Sequence, residues 1–297
     1  MKYPSTLKNV QLYPSDTFKI VADNLARKLF EMDIVSGAKI DFELLEIGSK
    51  KIKSKVTISN GTILNVHFWE FDWAVFDAII SLRISENDEY TTAAIICRKL
   101  GASHTPTKEL QKAVIESLEK FAAVRVVINM ENTKKIYDSP IDEYEFRGYF
   151  LASESLTMSV NGQSASLIHF LSKGMAYFTA EMKDQIITTK QEYFNPPIRM
   201  TMRSIAINHF LLRRINEMKG TLDVSKTNKR IKPLRHTILL DSLYKACELE
   251  NAAKFQKQDA RQTVVTILNY YIEKDFIKGY EFETGRAGKI RAIHFEL

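Results

Sequence analysis

The 297 residues are 45% hydrophobic, 10% aromatic and 26% charged, close to globular averages, which excludes a disordered tail or a fibrous repeat and makes two domains the leading expectation. No apolar run is long enough for a signal peptide or a spanning helix, so no membrane association and a cytoplasmic location are expected. Forty-two basic against 36 acidic side chains give +6, unevenly placed: 23 basic and 25 acidic residues up to Asn195, −2, and 19 against 11 from Pro196 on, +8, the composition of a polyanion-binding module.

Residues 1–70 mix short strand-like runs, Lys39 to Leu45 and Val56 to Ile58, with turn chemistry at Ser59-Asn60-Gly61. From Ala74 the period changes, and Val75, Phe76, Ile79, Ile80 and Leu82 fit a helix ended by the polar stretch Ser85 to Glu89. Thr91 or Thr92 then caps a second helix that Gly101 ends. Thr105 is placed to cap a third, with Pro106 at its first position. Leu110, Val114, Leu118 and Phe121 give this third helix one apolar stripe, and Val124 to Ile128 reads as a β-branched strand. Helix, helix, turn, helix, strand is the order of a winged helix-turn-helix. Further on, Glu145 to Val160 and Ser164 to Phe170 flank Asn161-Gly162, a hairpin signal. Ser172 to Gln185 is helical in composition, and Ile186 to Thr189 is strand-like.

The same order returns after Asn195-Pro196-Pro197. Ile205, Phe210, Leu211, Leu212 and Ile215 mark a helix ended near Gly220, and Leu239, Leu240, Leu243 and Cys247 mark another. A third runs from about Lys257 to Lys274. Phe276 and Ile277 open a strand, and the chain closes with a hairpin whose Gly-rich basic tip is Gly285 to Lys289. An offset of 150 places Cys97 on Cys247, Val114 on Val264, Leu118 on Leu268, Phe121 on Tyr271 and Val126-Val127 on Phe276-Ile277, which argues for duplicated units. The expected fold is therefore α+β, two tandem winged helix-turn-helix domains. The first, residues 1–195, carries an N-terminal extension and an additional β-hairpin; the second is residues 196–297.

Enzyme constellations are missing from the pattern. Gly288-Lys289 approaches a phosphate-binding loop, but Glu283 stands where the first glycine is needed and Ile290 where the hydroxyl is needed. The six histidines are scattered singly, and the two cysteines, expected to be core thiols, allow neither a disulfide framework nor a cysteine-built zinc site. Asp41-Phe42-Glu43 and Asp142-Glu143-x-Glu145 read as solvated strand faces. No catalytic residue, metal or cofactor is expected, and the chain is read as a binding protein.

Base readout falls on the third helix of the second domain. A buried stripe at Ala260, Val264, Ile267, Leu268 and Tyr271 turns Gln258, Arg261, Gln262, Val265, Thr266 and Asn269 outward. Arg bonds guanine bidentately, Gln does so with adenine, and Val meets a thymine methyl. Phosphate contacts are expected from Lys226, Lys229, Arg230, Lys232 and Arg235, a run without an acid, from Lys257, and from Arg286, Lys289 and Arg291 around the hairpin tip. In the first domain Lys108, Gln111 and Lys112 offer a secondary DNA contact, whereas Glu116 and Glu119 oppose phosphate and Ile115 suits a protein interface.

The run Trp73 to Leu82, the Thr-initiated second helix, Lys112 to Lys120, Phe210 to Ile215 and Lys274 to Tyr280 resemble Rep-type plasmid replication initiators and their relatives in Firmicute mobile elements. Over residues 70 to 297 this resemblance implies two winged-helix domains that bind repeated double-stranded DNA sites at an origin. The second would make the main base contacts, and the first would serve dimerisation and secondary contact. It further implies a homodimer in part of the cycle and recruitment of host replication proteins. A winged-helix transcriptional regulator is the alternative reading, and a metal-dependent nickase or primase a more distant one.

Overall fold

A computed structural model describes residues 16–22, 24–31, 33–35, 39–47, 50–60, 65–85, 90–131, 143–160, 163–171, 174–182, 185–227, 234–285 and 289–297. Helices and antiparallel strands are mixed along the chain, an α+β architecture. The first half opens with β1 (Thr17–Val21), α1 (Asn24–Phe30), β2 (Asp33–Val35), β3 (Lys39–Ile47), β4 (Lys50–Asn60) and β5 (Asn65–His67). It continues through α2 (Glu70–Ser85), β6 (Tyr90–Thr91), α3 (Ala93–Lys99), α4 (Lys108–Ala123), β7 (Val124–Glu131) and β8 (Glu143–Tyr149). β9 (Ser153–Val160), β10 (Gln163–Phe170), α5 (Met175–Met182), β11 (Ile186–Lys190) and a 3₁₀ turn at Gln191–Phe194 complete it. After the double proline come α6 (Met202–Thr227), β12 (Thr237–Leu239), α7 (Leu240–Ala246), α8 (Lys254–Glu273), β13 (Gly279–Thr284) and β14 (Ile290–Glu296).

One arrangement occurs twice. A long helix, a short strand, two helices and a hairpin follow one another as α2, β6, α3, α4 with β9 and β10, and as α6, β12, α7, α8 with β13 and β14. In each the short strand lies beside the last strand of the hairpin, giving sheet orders β6-β10-β9 and β12-β14-β13. Asn161-Gly162 lies outside the described residues, but its flanks pair as expected, with Gln163 opposite Val160 and Phe170 opposite Ser153.

Several boundaries differ from the sequence expectation. Val124 to Ile128 is a strand, but not part of the first half's hairpin sheet. It pairs with the equally β-branched run on β4, Val56 opposite Ile128 and Ile58 opposite Val126, in a four-stranded sheet ordered β3-β4-β7-β8. The 150-residue register therefore ends with the helices, because β7 and β8 are inserted before the hairpin. Phe276 and Ile277, the other end of that register, are buried in the turn that follows α8, and the strand opens at Gly279. Residues 17–67 are woven into the first half rather than appended to it, β1 pairing with β11 from Thr17–Lys190 to Val21–Ile186. Thr107, not Thr105, caps α4, its hydroxyl accepting from Leu110 N at 3.2 Å. Thr92 caps α3 in the same way. Gly101 takes φ +88, and a Cβ there would lie 1.9 Å from the Phe194 carbonyl oxygen, so the turn after α3 requires glycine. Gly220 does not end α6, which continues to Thr227.

Helix α2 explains how the halves hold together. Every residue from Glu70 to Leu82 is buried, so this is a central helix rather than an amphipathic one. Its buried Glu70, Asp72, Asp77 and Ser81 side chains must then find partners, and together they tie the helix to β1, α4 and α6. Asp77 Oδ1 and Ser81 Oγ accept from the backbone of β1 at Val21 and Lys19. Asp72 accepts from Ser117 Oγ at 2.7 Å and Lys120 Nζ at 2.8 Å on α4. Glu70 and Asp77 bind His209 of α6 at 2.7 and 2.9 Å. Arg213 of α6 forks onto Glu70 at 2.9 and 3.1 Å while its guanidinium lies 3.8 Å from the Trp73 ring centre. Helix α8 is tied to α6 in turn, because Tyr271 Oη donates to Asn208 Oδ1 at 2.7 Å. A single hydrophobic core runs through both halves.

Candidate nucleic-acid interface

The exposed face of α8 follows from its buried one. Ala260, Val264, Ile267, Leu268 and Tyr271 are the residues the helix buries, as their spacing predicts. Gln258 and Gln262 are consequently exposed, and Arg261, Val265 and Thr266 are half-buried beside them. The Thr266 hydroxyl donates to the Gln262 carbonyl at 3.0 Å, and so is occupied within its own helix. Asn269, farther along this face, accepts from Tyr280 Oη on β13 at 3.0 Å, which fixes the hairpin against the end of α8.

Phe255 belongs to this surface and is not among the residues read from the sequence. It is 64% exposed in the first turn of α8, the most open large apolar side chain among the described residues. Positions 255, 262 and 266 share one helix face, so Phe255 extends the row of Gln262 and Thr266 toward the helix start. An aromatic residue breaking the polar pattern at the start of the helix was the available signal.

The cationic candidates divide. Lys289 and Arg291 are exposed at the base of the hairpin tip, where Gly285 N donates to Lys289 O at 2.8 Å and closes the loop. Arg235 is exposed just before β12. Lys257 lies in the first turn of α8 and is engaged locally, its Nζ donating to Glu250 O at 2.6 Å. Lys226 sits on α6 because that helix outlasts Gly220, not in a loop. Lys229, Arg230, Lys232 and Arg286 lie outside the described residues.

In the first half the corresponding helix is α4. Lys108 and Lys112 are exposed, but Lys112 reaches Glu116 at 3.5 Å, and Gln111 donates to the Pro106 carbonyl at 3.0 Å. Ile115 is half-buried against the core, so it is not the free apolar contact its position suggests.

Arg199 and Arg203 are the cations the sequence reading missed. They lie in the acid-free run from Pro196 to Asn216, are exposed, and make no ion pair with a described residue. With Gln262 and Thr266 of α8 they line an open groove of about 490 Å³. Neither cysteine belongs to this surface. Cys97 and Cys247 are fully buried, and burial pushes the Cys97 thiol up to about 12 and the Cys247 thiol well above its ordinary value.

No protein-family model matches the chain, and no curated protein matches it by sequence. Among solved structures it is similar to domains 2 and 3 of RctB. A selenomethionine-derivative crystal structure of those domains aligns over 88% of this chain and 91% of that one, at 12% identity and a TM-score of 0.43. A second crystal structure of RctB domains 2–3 aligns over 89% and 95%, at 10% identity and a TM-score of 0.45. Among the described residues, no helix is long and apolar enough to cross a membrane.

Proposed function

We propose that this protein is a sequence-specific double-stranded DNA-binding protein that acts as a replication initiator through two tandem winged-helix units, residues 1–195 and 196–297. The observation that carries the reading is the outer face of α8. Gln258, Arg261 and Gln262 lie on the face of α8 opposite its buried stripe, and the same half of the chain exposes the cations Arg235, Lys289 and Arg291. A polar face of Gln and Arg with flanking cations suits base edges in a major groove between two phosphate rows. The twice-used order of long helix, strand, two helices and hairpin supports the winged-helix assignment. The resemblance of Trp73 to Leu82 and of Phe210 to Ile215 to Rep-type initiators supports the origin rather than the operator as target. On this reading α8 reads bases, α4 adds a secondary contact through Lys108, Gln111 and Lys112, and the protein recruits host replication proteins without performing chemistry itself.

Selection of bound sites from random duplexes tests it. Several direct repeats beside an AT-rich tract are the expected yield. One inverted repeat would point to a regulator, and failure to select any sequence at low salt would remove the DNA-binding reading. Magnesium-dependent nicking of a selected duplex would overturn the non-catalytic assignment.

A further inference from the structure

We propose that the segment joining the two halves is itself a DNA contact: Arg199 and Arg203 hold the phosphate backbone between the two reading helices, so that α4 and α8 engage one continuous duplex. This rests on the DNA-binding reading above and assigns the joining segment a role within it.

The position of Arg199 carries the argument. With Ile198 it lines the groove bounded by Gln262 and Thr266 of α8, and the same two residues line a second groove, also of about 490 Å³, bounded by Thr107 and Leu110 at the start of α4. Arg199 therefore sits between the two helices that would enter DNA. A duplex reaching from one to the other must pass over it. Charge points the same way. Arg213 and Arg214, farther along α6, are neutralised by Glu70 and Glu217, whereas Arg199 and Arg203 are exposed and without an ion pair to a described residue. Asp259 lines the α8 groove too and places the phosphates toward the arginine wall, away from itself.

The segment is also held in shape. Pro196 is buried, Ile198 N donates to the Pro196 carbonyl at 2.7 Å, and Ser204 Oγ donates to the Arg199 carbonyl at 2.7 Å. The guanidinium groups are thus presented from a fixed backbone, and little ordering remains to be done on binding. A flexible spacer would show none of these bonds.

The test uses the full chain and a duplex selected from a random pool by the wild-type protein. The double variant Arg199→Ala/Arg203→Ala is titrated over a salt series and footprinted by phosphate-ethylation interference. Every phosphate left without its cation lowers the slope of log affinity against log salt by about 0.9, so the double variant should drop by about two units. Interference at the phosphates between the two base-read segments should disappear while base preference is kept. Arg199→Lys/Arg203→Lys, which keeps both charges, should retain most of the slope, and circular dichroism should match wild type for both. Unchanged slope and unchanged interference in the alanine variant would make the segment a spacer and overturn the proposal, with the DNA-binding reading intact if Arg261→Ala still relaxes preference at one or two base pairs. If the wild-type chain selects no duplex, the parent reading fails instead.

Discussion

Arg261 and Lys289 carry the same charge but stand in different places, and their expected roles differ accordingly. Arg261 is half-buried on the face of α8 that carries Gln258 and Gln262, whereas Lys289 is exposed at a hairpin tip. Arg261→Ala should cost about 1–3 kcal/mol on the preferred site and relax preference at one or two base pairs, with little change on random DNA. Lys289→Ala should weaken all sequences alike and lower the salt slope by about one. Competition titrations at several salt concentrations separate the two, and a specificity ratio that falls with Lys289 but not Arg261 would reverse the roles. Phe255→Ala belongs with Arg261: an aromatic face in the first turn of α8 suits a thymine methyl, so removing it should reduce preference for a thymine at one position. The outward face of α8 was legible because a helix with one buried stripe fixes its opposite face by geometry alone. Arg199 and Arg203 were not, since the α8 groove that both line and the α4 groove that Arg199 also lines are completed by helices more than fifty residues away, which no local pattern encodes.

Between elements, the contact of α2 with α6 depends on four ionised groups that water does not reach, Glu70, Asp77, His209 and Arg213. Both ring nitrogens of His209 face carboxylate oxygens, which requires both to donate and makes the ring an imidazolium. Burial opposes that charge, but the hydrogen bonds and negative charge of Asp77 and Glu70 prevail and raise the His209 pKa above its ordinary value. Burial likewise raises Glu70, yet Arg213 and His209 outweigh it and hold the carboxyl at about 2. For Asp77 burial wins, and its pKa rises to about 6. A raised histidine stabilises the fold below its ordinary pKa and loses that contribution as pH rises through the higher folded value. A lowered Glu70 stabilises the fold above its ordinary pKa and loses this as pH falls toward 2, while ionising Asp77 costs stability between its ordinary value and about 6. Denaturation midpoints should therefore decline from neutral to alkaline pH. His209→Gln should flatten that decline and lower stability by about 3–5 kcal/mol, because it leaves a buried carboxylate short of its cation. An alkaline decline unchanged in His209→Gln would show that another group titrates. The helices of this contact were visible in the sequence as apolar runs, but their pairing was not: no local pattern matches Glu70 and Asp77 with His209 and Arg213, more than a hundred residues away.

At the scale of the molecule, charge is divided unevenly between the halves but the core is not. The basic excess lies after Asn195, yet α6 from that part is packed on α2 from the other, and the hydrophobic core is continuous across them. Cutting before Pro197 would leave His209 and Arg213 without Glu70, Asp77 and Trp73, and would uncover the apolar side of α6 against which α2 packs. The halves should accordingly unfold together. Trp69 and Trp73, the two tryptophans of the chain, both lie in the first half, so tryptophan fluorescence follows that half while far-ultraviolet circular dichroism also follows α6 and α8. In denaturant the two signals should give coincident transitions, as a cooperative unit requires. A fragment from Pro197 to Leu297 should be less helical than its share of the intact chain and bind DNA more weakly than its +8 charge alone suggests. If α4 and α8 read one duplex as proposed, this coupling would keep their spacing, because α4 and α8 are each pinned to the α2–α6 pair, by Asp72 to Ser117 and Lys120 and by Asn208 to Tyr271. Separated transitions, together with a fragment that folds and binds the selected duplex as tightly as the whole chain, would instead make the halves independent and leave the buried ion network without a role in setting that spacing.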